Sequence, residues 1–252
     1  MKDYRIYPLK LAEFQKAEKS SFSYLQEPGT KIKAPVIAYL IRGEKTDILV
    51  DTGCSDPEWA AKHHHPLIQT EDMLLSNALK RFDLKPGDIR VIINTHLHWD
   101  HCFNNDLFPN AKIYVQKREL QFAINPLPTQ YVYYEAPQIG LIPPFLKSLN
   151  QYAVVDGDCV LQDGIELVLT PGHTPGFQCV SVNTEKGRYL IASDCIGLLE
   201  NWEKGTHGMP TPSGIHVSLE EYYASFEKMK KICDFVLPGH DSRVFEHKVY
   251  PC

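Results

Sequence analysis

Residues 90–101 read Arg90-Val91-Ile92-Ile93-Asn94-Thr95-His96-Leu97-His98-Trp99-Asp100-His101. The β-branched apolar run Val91-Ile92-Ile93 predicts a short buried strand, and the polar cluster begins where that strand ends. Three imidazoles and a carboxylate between positions 96 and 101 cannot all pack as ordinary core, because each carries polar atoms that need partners. A metal partners them all. On extended backbone His96 and His98 point the same way, while Asp100 and His101 follow as the chain turns. That spacing suits two ions side by side, one taking His96 and His98 and the other taking Asp100 and His101.

Three other strand ends carry the same kind of residue. Val168-Leu169-Thr170-Pro171-Gly172-His173-Thr174-Pro175-Gly176 sets a histidine between two Pro/Gly turns after an apolar run. Ile191-Ala192-Ser193-Asp194 and Val236-Leu237-Pro238-Gly239-His240-Asp241 repeat the arrangement. Taken singly, each is more often a structural residue than a ligand. Together with 96–101 they complete a dinuclear set: His96, His98 and His173 on one metal, Asp100, His101 and His240 on the other, and Asp194 between them. Two divalent cations are therefore the expected cofactor. Zinc is the first expectation, and iron, cobalt or manganese accept the same donors.

Composition bounds the function classes. The chain has 252 residues, enough to bury a sizeable core, and residues 1–252 read as a single domain with no linker or internal repeat. The net charge of −5, without a basic stripe, argues against a nucleic-acid partner and for a small-molecule substrate. No apolar run reaches the length of a membrane span, and Met1-Lys2-Asp3-Tyr4-Arg5 is followed by no signal-peptide core. Seven scattered cysteines with no Cys-x-x-Cys pair read as reduced thiols, so a cytoplasmic protein is expected. Cys102 and Cys195, beside ligands, are expected to pack behind them.

Strand and helix signals alternate along much of the chain, the pattern of an α/β fold. Strands are expected over 35–41, 47–53, 90–94, 112–115, 153–155, 165–170, 177–183, 188–193 and 235–237. Helices are expected over 71–82 behind Thr70, near 118–123, and from the Ser218-Leu219-Glu220-Glu221 capping box to Ile232. Residues 125–152 break the rhythm with five prolines interleaved with Tyr131, Tyr133, Tyr134, Phe145 and Tyr152. Such a segment can wall a substrate site or form an oligomer contact, a homodimer for instance.

The Thr-His-x-His-x-Asp-His of 95–101, the Pro-Gly-His-Thr-Pro-Gly of 171–176, Asp194, Gly239-His240 and Asp51-Thr52-Gly53 resemble the metallo-β-lactamase superfamily, in its order and over most of the chain. The resemblance implies a four-layer αββα sandwich, two mixed sheets flanked by helices, with Asp51 supporting the metal loop from behind. Residues 115–120 and 174–178 look most like the N-acyl homoserine lactonases, which implies opening of a lactone ring. In that reading a metal-bridging hydroxide attacks the carbonyl, and Asp100 holds the nucleophile and returns a proton to the leaving alkoxide.

One position departs from the lactonases. They carry a tyrosine three residues after the bridging aspartate, where this chain has Gly197. A phenol from Tyr131, Tyr133 or Tyr134 is then the expected substitute, and the insert 197–214, with Trp202, is expected to reshape the substrate site. His207 and His216 read as loop histidines, and His63-His64-His65 as a solvated loop. A glyoxalase-II-like thioesterase, a hydrolase of cyclic amides or other esters, and a non-catalytic metal-binding module share the ligands.

Overall fold

The computed structural model describes residues 4–43, 47–205 and 207–252. Among them, one sheet is built from β1 (Arg5–Glu18), β2 (Lys31–Arg42), β3 (Asp47–Val50), β4 (Leu67–Ile68), β5 (Val91–Ile93), β6 (Lys112–Gln116) and β7 (Tyr152–Val155), in the order β4-β1-β2-β3-β5-β6-β7. The other holds β8 (Cys159–Gln162), β9 (Ile165–Leu169), β10 (Gln178–Thr184), β11 (Gly187–Ser193) and β12 (Phe235–Pro238), in the order β12-β11-β10-β9-β8. Both are mixed. β3, β5, β6 and β7 run parallel while β1, β2 and β3 are antiparallel, and β11 pairs β12 in parallel within an otherwise antiparallel sheet. The helices are α1 (Lys19–Phe22), α2 (Pro57–His63), α3 (Leu75–Lys80), α4 (Trp99–Cys102), α5 (Lys117–Ile124), α6 (Leu199–Glu203) and α7 (Leu219–Ile232).

The sequence of β2 explains the layering. Val36, Ala38 and Leu40 join one apolar cluster with Leu75, Ala78 and Leu79 of α3, whereas Ile37, Tyr39 and Ile41 join another with Ile165, Leu167, Val180 and Ile191 of the second sheet. Successive side chains of a strand face opposite sides, so an unbroken apolar run marks a strand covered on both. A third cluster packs Tyr222, Phe226 and Met229 of α7 on Cys179, Leu190 and Ala192, the outer face of the second sheet. Helix, sheet, sheet, helix is the four-layer αββα order that the sequence resemblance implied. Each fully buried Ile or Leu in these clusters stabilises the fold by about 1.5–3 kcal/mol.

The helix expected over 71–82 is divided. A 3₁₀ turn covers Glu71–Met73, Leu74 adopts φ −59° and ψ 128°, and only Leu75–Lys80 are α-helical. The Thr70 hydroxyl bonds the Asp72 carboxylate at 2.6 Å and caps no backbone N–H. Leu75, Ala78 and Leu79 are buried in the core and Phe82 packs against it, while Leu74 stays partly exposed, so the apparent stripe was wider than the buried face. The Ser218 cap forms as expected, its hydroxyl accepting the Glu221 N–H at 3.2 Å. The proline-rich segment runs as successive 3₁₀ turns over Pro128–Gln130, Pro137–Ile139 and Pro144–Gln151.

Candidate dinuclear metal centre

All seven expected ligands follow strand ends and meet between the two sheets. His96, His98, Asp100 and His101 follow β5, His173 follows β9, Asp194 follows β11, and His240 follows β12. The ligating atoms of His96, His98, His173 and Asp194 lie within 4.8 Å of one another, and so do those of Asp100, His101 and His240. Asp194 joins the two groups. Its Oδ2 is 3.5 Å from His173 Nε2 and 4.0 Å from His96 Nε2, while its Oδ1 is 3.0 Å from His240 Nε2 and 3.2 Å from His101 Nε2. Asp100 Oδ2 lies 3.8 Å from both His101 Nε2 and His240 Nε2.

Four histidines are aimed by what their other nitrogen does. His173 Nδ1 donates to the Ile215 carbonyl at 2.6 Å, His240 Nδ1 to the Pro35 carbonyl at 2.8 Å, and His101 Nδ1 to Asp51 Oδ2 at 2.9 Å. Thr95 donates its hydroxyl to Asp51 Oδ2 at 2.8 Å and so accepts from His96 Nδ1 at 3.0 Å. With Nδ1 committed outward, each ring turns Nε2 inward, the arrangement by which outer hydrogen bonds fix metal-binding imidazoles. Asp51 therefore serves both groups, one directly and one through Thr95. Its Oδ1 also accepts the Thr95 N–H at 2.8 Å, and it holds a left-handed φ of 62° to do so.

These donors fit cations. The Nε2 atoms of His96 and His101 and the Oδ1 of Asp194 are buried without a hydrogen-bond partner, although the nitrogens around that oxygen stand as close as 3.0 Å, and His98 turns its Nδ1 to the same place, 3.2 Å from His173 Nε2. Buried polar atoms that converge without bonding one another are costly unless a cation sits between them. Burial, with neighbouring imidazoles adding to it, pushes His96 and His98 well below the usual histidine range, and burial brings His173 down to about 4. Burial acts in the same sense on His101 and His240, but the carboxylates of Asp194 and Asp100 overcome it and raise both. Burial would raise Asp194, yet His240 and His101 hold it well below the carboxylate range. The imidazoles of one group are thus pushed down by burial, and those of the other are pushed up by the carboxylates beside them.

Glycine permits this convergence. A Cβ at Gly239 would stand 2.4 Å from Asp194 Oδ1, and one at Gly176 would stand 2.0 Å from the Glu119 backbone nitrogen. Ser193, just before Asp194, takes φ 44° and ψ −130°, a strained conformation worth about 1–3 kcal/mol that places its carboxylate neighbour between the two groups.

Above the ligands opens a cleft. Phe14, Ala17, Phe22, Trp99, Tyr133 and Ile215 supply apolar wall, Glu18, Ser21, His65 and Ser213 supply polar groups, and His98, Asp100, Asp194 and His240 form the floor. Of the tyrosines expected at the substrate, Tyr133 lines this cleft. Tyr134 does not: it is fully buried and donates its hydroxyl to Glu119 at 2.7 Å. Tyr131 is outside the lining, and Trp202 packs on the α7 cluster instead, because the insert folds back as α6. His216 donates to the Ser213 carbonyl at 2.9 Å and His207 is exposed, so neither joins the ligands. Cys102 and Cys195 are buried in apolar clusters behind the site.

The solvated-loop expectation for His63-His64-His65 is corrected. His64 has a side chain 2% exposed, stacks on Trp99 at 3.8 Å between centroids, and meets Glu135 Oε1 at 2.8 Å, while His65 lines the cleft. Three residues went unread in the sequence. Glu119 accepts from Leu97 N at 3.0 Å, Tyr134 at 2.7 Å and the Thr174 hydroxyl at 2.6 Å, tying the metal loop to the turn after His173. Glu135 is buried and accepts from Trp59 Nε1 at 2.6 Å as well as His64. Phe22 closes one wall. A lone buried glutamate leaves no periodic signal, so only the fold reveals the first two.

Comparison with known proteins agrees with this geometry. The sequence model of the metallo-beta-lactamase superfamily matches residues 34–240. An N-acyl homoserine lactonase of Bacillus cereus is 35% identical over 202 residues, 74% of each chain, and the N-acyl homoserine lactonase AttM of Azorhizobium caulinodans is 27% identical over 259 residues, 96% of this chain and 94% of its own. A solved N-acyl homoserine lactone hydrolase, with N-hexanoyl-L-homoserine at its catalytic metal centre, superposes with a TM-score of 0.77 at 25% identity, over 100% of this chain and 99% of the other. With family, fold and ligand geometry in agreement, this chain belongs to the metallo-beta-lactamase superfamily.

Proposed function

We propose that this protein is a metal-dependent hydrolase that opens the ring of N-acyl homoserine lactones or closely similar lactones. The observation that carries the reading is the pairing of two convergent ligand groups, bridged by Asp194, with an apolar-walled cleft directly above them. The lactonase relatives support the substrate class.

His96, His98 and His173 would hold one cation and Asp100, His101 and His240 the other, with Asp194 shared. Bound there, two divalent ions supply a nucleophilic water at neutral pH and polarise an ester carbonyl. The residues do the rest. Asp51 and the two backbone carbonyls keep the imidazoles turned inward. Phe14, Phe22, Trp99 and Ile215 form a wall suited to an acyl chain and keep bulk water off the floor. Asp100, facing the cleft, takes one proton of the attacking water and returns it to the ring oxygen as the acyl C–O bond breaks, leaving an alcohol and a carboxylic acid that loses its remaining proton to solvent.

Zinc is the proposed metal, because nitrogen-rich His/Asp donor sets suit it. A cytoplasmic location is part of the same reading, supported by seven cysteines that are all free. Among the described residues no helix is long and apolar enough to cross a membrane. A homodimer is supported by the exposed apolar side chains of Ile139, Ile142 and Leu149 on the proline-rich segment.

The test is metal analysis of the purified protein followed by a panel of lactones, thioesters, β-lactams and cyclic amides. Rapid lactone opening that chelation abolishes is expected, and His173→Ala or Asp194→Asn is expected to remove both metal and turnover. Full activity after chelation, or thioester cleavage with inert lactones, overturns the reading.

A further inference from the structure

Ester opening puts negative charge on the carbonyl oxygen and then on the leaving oxygen, so a donor beside the metal ligands is needed to steady either. The cleft offers few. The Ser213 hydroxyl is spent on the Ser21 carbonyl at 2.9 Å, and Glu18 is an acceptor held by Lys31 at 2.8 Å and Gly29 at 2.6 Å. Position 197 offers none. A Cβ built on Gly197 would point at Phe22, 3.5 Å from its Cβ and Cδ1 and 3.6 Å from its carbonyl oxygen, so the Phe22 ring fills the space into which a longer side chain there would grow.

Tyr133 stands apart from the other tyrosines near the centre. Tyr134 donates to Glu119, Tyr152 accepts from Asn105, and Tyr222 donates to the Asp194 carbonyl. Among the described residues the Tyr133 hydroxyl has no protein partner, although its ring is half-buried and lies 5.3 Å from the His98 ring. Its backbone is clamped to the metal loop: the Tyr133 carbonyl accepts the Trp99 N–H at 2.8 Å, and its own N–H donates to Gln130 at 3.0 Å. Trp99 sits between the proposed ligands His98 and Asp100, so the Tyr133 main chain is anchored beside both groups, and its ring stands against His98. A phenol is a donor at neutral pH, being protonated up to a pKa of about 10.

We infer that Tyr133 is the substrate-positioning donor of this site, its hydroxyl hydrogen-bonding the substrate carbonyl oxygen and stabilising the charge that develops there. The inference rests on the lactonase reading above. Tyr133→Phe removes one oxygen and leaves the packing. The variant is expected to keep wild-type metal content and melting temperature, to lose about 100-fold or more in kcat with a small change in KM, and to bind the ring-opened N-acyl homoserine product more weakly in calorimetry. In the Tyr133→Phe background, Gly197→Tyr with Phe22→Ala directs a phenol into the space that the Phe22 ring vacates, and is expected to recover at least tenfold of the loss.

Wild type is assayed first. If it leaves every lactone intact, the lactonase reading falls and this inference falls with it. If wild type is active and Tyr133→Phe turns over within twofold of it, the inference alone is overturned. Loss of metal from Tyr133→Phe also overturns it, because the role is then structural.

Discussion

The Glu119 carboxylate accepts the backbone N–H of Leu97 at 3.0 Å, and this single bond pins the peptide between His96 and His98, two of the proposed ligands. The same carboxylate takes the hydroxyls of Thr174, next to His173, and of Tyr134, next to Tyr133. One buried side chain thus sets the relative position of three ligands and one cleft wall. Glu119→Ala strands three buried donors, each worth about 1–3 kcal/mol, so a loss of about 3 kcal/mol or more in denaturant titration is expected, with weakened metal binding at His96, His98 and His173. Gly176→Ala drives a Cβ into the Glu119 backbone and is expected to give little folded protein in expression trials.

Asp51 gives a different signature. It holds His101 directly and His96 through Thr95, so Asp51→Ala is expected to weaken both metals, each by about 10- to 100-fold, whereas a ligand mutation on one side weakens one first. Competition against a chelator, read by metal analysis of the two equivalents, distinguishes the two outcomes.

Metal uptake should couple to pH on one side of the centre. His96, His98 and His173 are depressed, to about 4 for His173, and are already neutral around pH 7. His101 and His240 are raised by Asp194 against the effect of burial, so in the metal-free protein they carry protons that must leave before a cation binds. The sign follows directly: affinity at Asp100, His101 and His240 falls as pH is lowered through the neutral range, while the other group holds its metal until markedly lower pH. Calorimetry in buffers of different ionisation enthalpy is expected to show proton release with only one of the two equivalents.

His64 stacks on Trp99 and bonds the buried Glu135, which itself sits at a left-handed φ of 49°. His64→Phe preserves the stack and leaves Glu135 with Trp59 as its remaining side-chain donor. A destabilisation of about 1–3 kcal/mol is expected by thermal melting, with metal content unchanged because His64 is no ligand.

The proposed metal centre was legible in the sequence because ligand chemistry calls for residue types that a loop leaving an apolar strand does not otherwise need, and the structure brings those residues together. His96, His98, Asp100 and His101 are local to one loop, and His173, Asp194 and His240 each announce themselves after an apolar strand. The two-sided burial of β2 was legible for the same kind of reason, since an unbroken apolar run is the mark of a strand covered on both faces. The longest strand, β1, escaped notice because register shifts between Lys10 and Ala12 and between Phe14 and Ala17 break its alternation. That strand and α1 after it supply Phe14, Glu18 and Phe22, so one wall of the cleft was invisible with it.

What the sequence determined by itself is the donor set: seven side chains of metal-binding type that converge in two groups, on an α/β frame. What only the tertiary structure decided is how the ligands are held and what stands over them. Glu119 meeting Leu97 and Thr174, His64 meeting Glu135, and Phe22 meeting Gly197 are pairings distant along the chain. Their partners are chosen by packing between layers, and no local pattern of residues encodes a contact of that kind.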